Sequence, residues 1–386
     1  MNNRNRAPIS ATREHYWDAL RAFLMLLGIP YHTALSYRSG QEWIVHSGGG
    51  APLFNYLAEF LHLFRMPAFF VIAGYFAALL LERRPSGEWL RDRTRRLGVP
   101  LLVSMVTLVP VMNMACELSS FSIENALAAW RSSALTSAGY WVRHLWFLIV
   151  LLYCSTGTVL LIHWFPALKR ARMPEALDRW MAARFLPALA IAALLIGTWQ
   201  AVAIELFYKA GMATNILQEL LRLDEFIAFA PYFAIGCILA RSPHVLKQLG
   251  LFSLLPGCIA IALAVLNLIL FDKIPPWLGR FIGTLAAFAI IQVIIAIARR
   301  IADRQNTLIG ELVAASFVIY LVHMPVIIIL VALAAKLSLP IVVKALSVMI
   351  LSLALSYGIW QVVVRSTLLS FAFNGDRLLF RRAVLA

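Results

Sequence analysis

Long apolar runs separated by short charged clusters recur along almost the whole chain. Ten of these runs are long enough for an α-helix that crosses a bilayer, which needs about 20 predominantly apolar residues. The predicted spans are residues 17–37, 55–82, 97–117, 143–165, 184–205, 222–241, 250–271, 277–299, 308–335 and 340–364. Because a helix satisfies its own backbone groups in lipid, the pattern predicts an all-α fold, a polytopic bundle of about ten transmembrane helices.

The composition also indicates a membrane environment. Hydrophobic residues make up 61% of the 386 residues and charged residues 14%, whereas soluble domains carry about 25% charged residues. The net charge of +15 does not indicate nucleic acid, because the basic residues lie between apolar runs and form neither a zinc-finger spacing nor a basic helix. The four cysteines lack metal-ligand spacing. We therefore predict membrane lipid as a partner, no nucleic acid and no metal.

Basic residues are distributed unevenly between alternate loops, which indicates the orientation. Most of the 34 Lys and Arg residues lie at the N-terminus and in residues 83–96, 169–184, 241–247, 299–304 and 365–382. Because positively charged loops stay on the cytoplasmic side, both termini should be cytoplasmic. The chain is therefore predicted to form one multi-pass domain of the cell inner membrane over residues 1–386.

Ionisable residues inside predicted spans are functional candidates, because lipid tolerates charge poorly. Arg21 and His32 lie 11 residues apart in the first span, about 20° beyond three helical turns, and so share one face. Arg65 lies near mid-depth in the second span, where it must face a polar cavity or partner. His62 lies one turn from Arg65 and could line the same cavity. A functional role is not the only interpretation of these residues. Arg21 could instead extend its charge to the lipid headgroups, and His32 could form a structural bond to a neighbouring helix.

The ninth span carries a polar stripe on an apolar helix. Ser316, Tyr320 and His323 follow at spacings of four and three residues. Trp146, near the start of the fourth span, could face the same chamber or belong to an aromatic belt. Histidine can take a proton from a hydroxyl near neutral pH, and arginine offers donors to a carboxylate or an oxyanion. The pattern favours acid–base chemistry in a water-poor chamber.

These motifs, in this order, resemble those of the acyltransferase 3 family of membrane proteins. The matching positions are Arg21 and His32, Arg65 with Phe69, Phe70 and Gly74, Arg93 and Arg96 before Pro100, His144–Leu148, and Ser316–His323. Residues 21–32, 65–76, 98–100 and 320–325 resemble most the glucan succinyltransferases within that family. Ala73 departs from the pattern, since the family usually has serine before this glycine.

The resemblance implies O-acyl transfer of succinyl groups from cytosolic succinyl-CoA to glucose units of periplasmic osmoregulated glucans. Acyl-CoA would be a donor substrate, with no permanently bound cofactor, and the periplasmic glucan would be the acceptor. His32 would be the general base on the glucan hydroxyl, with a covalent acyl-histidine as the alternative. Arg65 would stabilise the thioester oxyanion or bind the succinyl carboxylate, and His323 would complete the catalytic set. The other candidates would bind substrate: Arg21, Arg93 and Arg96 at the donor's phosphates, and Tyr320, Trp146, His62 and Ser316 around the chamber.

Two other functions stay open at this stage. One is acetyl-CoA-dependent O-acetylation of another cell-envelope polysaccharide, and the other is a solute exporter with intramembrane proton-relay histidines. The chain shows no internal repeat of the transporter kind, and its basic patch at Arg93 and Arg96 suits an anionic donor, which disfavours the exporter. The patch could also serve only as the positive-inside signal. The sequence leaves the oligomeric state open, a homo-oligomer included.

Overall fold

The computed structural model describes residues 15–40, 42–212, 216–303 and 306–377. Within these ranges the chain forms helices and connecting loops, without β-strands, which confirms the all-α prediction. The helices are α1 His15–Leu26, α2 Gly28–Ser36, α3 Pro52–Arg83, α4 Ser86–Val106, α5 Leu108–Ser120, α6 Ile123–Thr136, α7 Gly139–Val142, α8 Trp146–Trp164, α9 Glu175–Ala183, α10 Phe185–Lys209, α11 Ile216–Leu221, α12 Leu223–Leu239, α13 Pro243–Leu249, α14 Leu254–Leu270, α15 Pro276–Ile301, α16 Thr307–Ala335, α17 Ile341–Arg365 and α18 Thr367–Asn374. The N-terminal basic residues Arg4, Arg6 and Arg13 lie outside the described residues.

Seven helical segments of the described chain are long and apolar enough to cross a membrane. They are Pro52–Arg83, Ser86–Ser120, Gly139–Trp164, Phe185–Lys209, Pro276–Ile301, Thr307–Ala335 and Ile341–Arg365. An eighth candidate is the pair Ile216–Leu239 and Pro243–Leu249, which is bent by 112°. The predicted count of ten is therefore approximate. The first predicted span is divided into α1 and α2, and the seventh corresponds to α14, which has only 17 residues.

The break between α1 and α2 follows from local chemistry. The helix assignment is interrupted at Leu27, shortly before Pro30. Proline has no backbone N–H, so Pro30 cannot bond to the carbonyl of Leu26. The backbone N–H of Tyr31 still donates to the carbonyl of Leu27, 3.2 Å away. Helical hydrogen bonding is therefore partly kept across the break, and Arg21 and His32 lie on separate helices.

Helix α3 is the most enclosed of the spanning helices, with 78% of its apolar window buried. Its close neighbour is α12, and the contact depends on two glycines. A Cβ on Gly74 would overlap the carbonyl oxygen of Phe233, and a Cβ on Gly236 would overlap that of Val71. Small residues at such a crossing allow two backbones to approach closely. This packing holds the Arg65 helix at the centre of the bundle.

Candidate active site

Three histidines from different parts of the chain meet inside the bundle. His32 lies on α2, His323 on α16, and His144 in the 3-10 turn Arg143–Leu145 that leads into α8. The ring centroids of His32 and His323 are 5.3 Å apart, and those of His144 and His323 are 5.7 Å apart. All three side chains are buried. We call this group the histidine cluster.

Backbone carbonyls fix the protonation sites of two of these rings. His323 Nδ1 lies 2.6 Å from the carbonyl oxygen of Tyr320, and His144 Nε2 lies 3.1 Å from that of Leu321. A carbonyl oxygen can only accept, so in the neutral rings these nitrogens carry the hydrogen. The other nitrogens, His323 Nε2 and His144 Nδ1, are buried without a hydrogen-bond partner among the described residues. Each can therefore accept a proton or a hydrogen bond from a ligand.

His32 is held by ring contacts. Its imidazole stacks on Trp43 with centroids 5.5 Å apart and meets the edge of Tyr31 at 4.9 Å. Its Nδ1 is buried and has no hydrogen-bond partner within the described residues. His32 is thus available for hydrogen bonding to a substrate, and it lies between Tyr31 and His323.

Arg65 lies next to the histidine cluster with its charge unpaired. Its guanidinium carbon is 4.4 Å from the centre of the Tyr31 ring, and within the described chain it forms no ion pair. Its Nε is buried without a hydrogen-bond partner among those residues. A buried charge is costly unless it is compensated, so the site favours an anion or a developing negative charge.

Gly28 makes the space that Arg65 and His323 share. A Cβ at this position would lie 2.8 Å from His323 Nε2 and 3.3 Å from Arg65 Nη1. Even a methyl group would therefore crowd both side chains. The two nitrogens flank one small volume, which is a suitable position for a reacting carbonyl group.

A cleft of about 350 Å³ lies beside the cluster, and we call it the arginine-rich cleft. Its lining includes Arg21, Arg93, Arg96, Ser316 and, from the C-terminal segment, Asp376. Arg93 and Arg96 form no ion pair with another described residue, and Arg93 Nε is buried without a hydrogen-bond partner there. The structure therefore brings together the three arginines and the serine that the sequence singled out, and they form a site suited to an anion.

Aromatic rings separate the arginine-rich cleft from the histidine cluster. Phe147 lines the cleft, and its ring centroid is 5.5 Å from that of Tyr320. Tyr320 in turn lies 5.7 Å from His144 and 5.9 Å from His323, measured between ring centroids. Its hydroxyl donates to the carbonyl of His144 at 2.6 Å. Tyr320 therefore lies at the boundary between the cleft and the cluster.

The other two candidates occupy different surroundings. Trp146 stacks on Phe229, with centroids 5.5 Å apart, and has no ring contact with the three histidines. His62 is exposed in a second cleft, and its Nδ1 lies 3.3 Å from the hydroxyl of Tyr31. The predicted chamber therefore includes Tyr320 but not Trp146, and His62 approaches it only through Tyr31.

Sequence reasoning overlooked His144 and Tyr31 as functional candidates. His144 opens the fourth predicted span, and only Trp146 was considered there. Its place in the cluster depends on Arg143, whose φ of 46° is uncommon outside glycine. Asn113 secures this turn, because it accepts from Arg143 Nε at 2.8 Å and donates to the carbonyl of Tyr140 at 2.7 Å. The signal available in the sequence is that His144 is a polar residue at the start of the fourth apolar run.

The bundle and its buried histidine–arginine group define a multi-pass membrane protein with an internal site equipped for acid–base chemistry. The chain belongs to the acyltransferase 3 family, because the family model, described as an acyltransferase domain, matches residues 14–361. It is thus a membrane acyltransferase, as the resemblance implied.

Two relatives cover most of the chain. Glucans biosynthesis protein C of Salmonella gallinarum is 27% identical over 379 residues, which cover 95% of this chain and 96% of that protein. The protein of the same name from Escherichia coli O81 is 29% identical over 333 residues, covering 82% and 83%. No solved structure matches the chain.

Proposed function

We propose that the protein transfers succinyl groups from succinyl-CoA to hydroxyl groups of a periplasmic glucan. The observation that carries the proposal is the unpaired Arg65 beside a histidine cluster, with an arginine-rich cleft adjoining it. The names of the relatives concern glucan biosynthesis and support a glucan acceptor.

The arginine-rich cleft is the proposed donor site. Coenzyme A carries several phosphate charges, and Arg21, Arg93 and Arg96 place three guanidinium groups around one cavity. Arginine binds phosphate with paired, charge-assisted hydrogen bonds. The acyl end would extend past Phe147 and Tyr320 toward Gly28, where Arg65 Nη1 and His323 Nε2 meet.

His32 is the proposed general base, because it lies on the Tyr31 side of the cluster, away from Phe147. Its ring takes the proton of the glucan hydroxyl while that oxygen attacks the thioester carbon. Arg65 would pair with the distal carboxylate of the succinyl group or stabilise the oxyanion that forms. The carbon–sulfur bond then breaks, the ester is released, and the coenzyme A thiolate recovers the proton from the histidines. His323 lies between His32 and the donor side, which suits it to this return step.

Mass spectrometry of periplasmic glucans from cells with and without the protein tests this function. Succinyl esters should appear only with the protein, and the purified protein in liposomes should consume succinyl-CoA only when glucan is present. Acetyl esters instead would favour the acetyltransferase alternative. No consumption of any acyl-CoA would contradict the proposal and favour transport.

The proposed donor route requires that the protein lies in the inner membrane and that its arginine-rich cleft faces the cytoplasm. Both termini would then be cytoplasmic, as the loop charges indicate. A cysteine appended to the C-terminus should react with a membrane-impermeant thiol reagent only in inverted membranes. Labelling in intact spheroplasts would show the route to be wrong.

A further inference from the structure

We propose that a second cleft, formed by α3, α10, α12, α14 and α15, binds an uncharged sugar unit of the acceptor and presents its hydroxyl to His32 past Tyr31. The proposal rests on the function proposed above. The cleft has a volume of about 380 Å³. Its polar lining consists chiefly of Glu59, His62, Gln200, Asn267, Arg280 and Thr284.

The two clefts are lined by successive stretches of α3. The α3 residues that line the second cleft run from Glu59 to Pro67, whereas those that line the arginine-rich cleft run from Phe69 to Phe76. At a rise of about 1.5 Å per residue, the two linings together cover about 25 Å of the helix, and they meet between Pro67 and Phe69. Arg65 lies close to this junction. Because α3 is long and apolar enough to span a membrane, the second cleft faces the side opposite the donor site.

Charge pairing in the second cleft favours a neutral ligand. Glu59 forms an ion pair with Arg38, and Arg280 forms one with Glu205 at 2.6 Å. Asp272 adds a carboxylate without an ion pair in the described chain. The lining therefore offers no unpaired cation to an anion such as acyl-CoA. A sugar, which is uncharged and rich in hydroxyl groups, does not require one.

Uncharged polar atoms and aromatic rings complete the lining. Asn267 and Thr284 are buried in the protein, at 8% and 5% exposure. The Asn267 amide nitrogen donates to the carbonyl of Gly279 at 3.5 Å, which is the longest distance for a hydrogen bond. Most of the donors and acceptors of this amide are therefore left for a ligand. Phe229, Tyr232 and Phe271 add aromatic surface. A few placed polar groups among aromatic walls are typical of small-ligand sites.

Tyr31 connects this cleft to the histidine cluster. Its hydroxyl lies 3.3 Å from His62 Nδ1, which belongs to the cleft lining, and its ring meets His32 at 4.9 Å. The guanidinium carbon of Arg65 lies over the same ring at 4.4 Å. One side chain therefore separates the second cleft from the proposed base, and a shift of Tyr31 would join them.

Acceptor kinetics of Asn267→Leu and Thr284→Val test the proposal. Removal of one buried hydrogen-bonding group should raise the KM for glucan about fivefold to tenfold, with the KM for succinyl-CoA unchanged. Thr158→Val is the matched control, because its hydroxyl donates to the carbonyl four residues earlier at 2.7 Å, as that of Thr284 does at 2.9 Å, but lies outside both clefts.

The outcomes separate this inference from the proposed function. If the wild-type protein succinylates glucan but both variants keep its KM for glucan, the second cleft is not the acceptor site and holds only lipid or water. A raised KM for succinyl-CoA in Thr284→Val would also overturn the proposal. If the wild-type protein does not transfer succinyl groups at all, the proposed function itself fails.

Discussion

The arginine-rich cleft and the second cleft are similar in size but differ in how their charges are compensated. In the first, Arg21 pairs with Asp18 and Asp376 adds a carboxylate, but Arg93 and Arg96 lack ion-pair partners in the described chain, which favours an anionic ligand. In the second, the charges of Glu59 and Arg280 are matched by Arg38 and Glu205, and the remaining carboxylate, Asp272, is exposed to solvent. The comparison teaches that the ligand class is better indicated by the unpaired charge of a cavity than by its volume.

The histidine cluster lies where the two clefts approach each other, and each is separated from it by aromatic side chains. Phe147 and Tyr320 form the layer on the arginine-rich side, and Tyr31 forms the layer on the other. This arrangement would let an anionic donor and a neutral acceptor react without either one crossing the membrane. The variants below test each part of it.

The largest effect is expected for His32→Ala. General acid–base catalysis contributes about 10²–10⁴-fold, so transfer should fall by at least a hundredfold. The amount of membrane-inserted protein, and binding of succinyl-CoA at the arginine-rich cleft, should be unchanged. His32→Asn provides a second variant of similar size. Glucan succinylation near the wild-type rate in either variant would remove His32 from the role of base.

A donor-selective effect is expected for Arg65→Gln. If the unpaired guanidinium binds the distal carboxylate of the succinyl group, its loss costs roughly 3–5 kcal/mol. Activity with succinyl-CoA should then fall at least about a hundredfold relative to activity with acetyl-CoA. Rates with the two donors, measured side by side in wild type and variant, check this.

An equal collapse with both donors would contradict the selective role of Arg65. It would show that Arg65 acts on a group that every donor shares, such as the thioester oxygen. The position of Arg65 Nη1 beside Gly28 and His323 would accommodate that group as well.

The sequence could predict those features that depend on one helix at a time. The apolar runs predicted the all-α bundle. Helical spacing indicated Arg21, His32 and His323, and its depth in the second span indicated Arg65. The number of spans is harder to predict from the sequence. The first predicted span is divided into two short helices near Pro30, and α14 has only 17 residues, close to the minimum length for crossing a membrane.

Features that depend on contacts between distant segments could not be predicted. The pairing of Glu59 with Arg38 distinguishes the second cleft from the first, yet neither residue reveals its partner in the sequence. His144 follows a turn in which Arg143 adopts a positive φ and donates a hydrogen bond to Asn113 on α5. Propensity and periodicity carry no information about such tertiary contacts.

The smallest effect, and the sharpest test of the charge argument, is expected for Arg93→Gln. Arg93 is half-buried in the lining of the arginine-rich cleft, so losing one charge-assisted bond to a phosphate should raise the KM for succinyl-CoA about tenfold. The KM for glucan should stay the same, because the acceptor would occupy the other cleft. Arg91→Gln is the matched control. Arg91 lies on the same helix but is exposed and does not line the cleft. Its loss therefore removes the same charge from this region without altering the site. An equal increase of the KM for succinyl-CoA in both variants would show that only the general positive charge of this region attracts the donor. A rise in the KM for glucan would mean that donor and acceptor do not bind in separate clefts as the charges indicate.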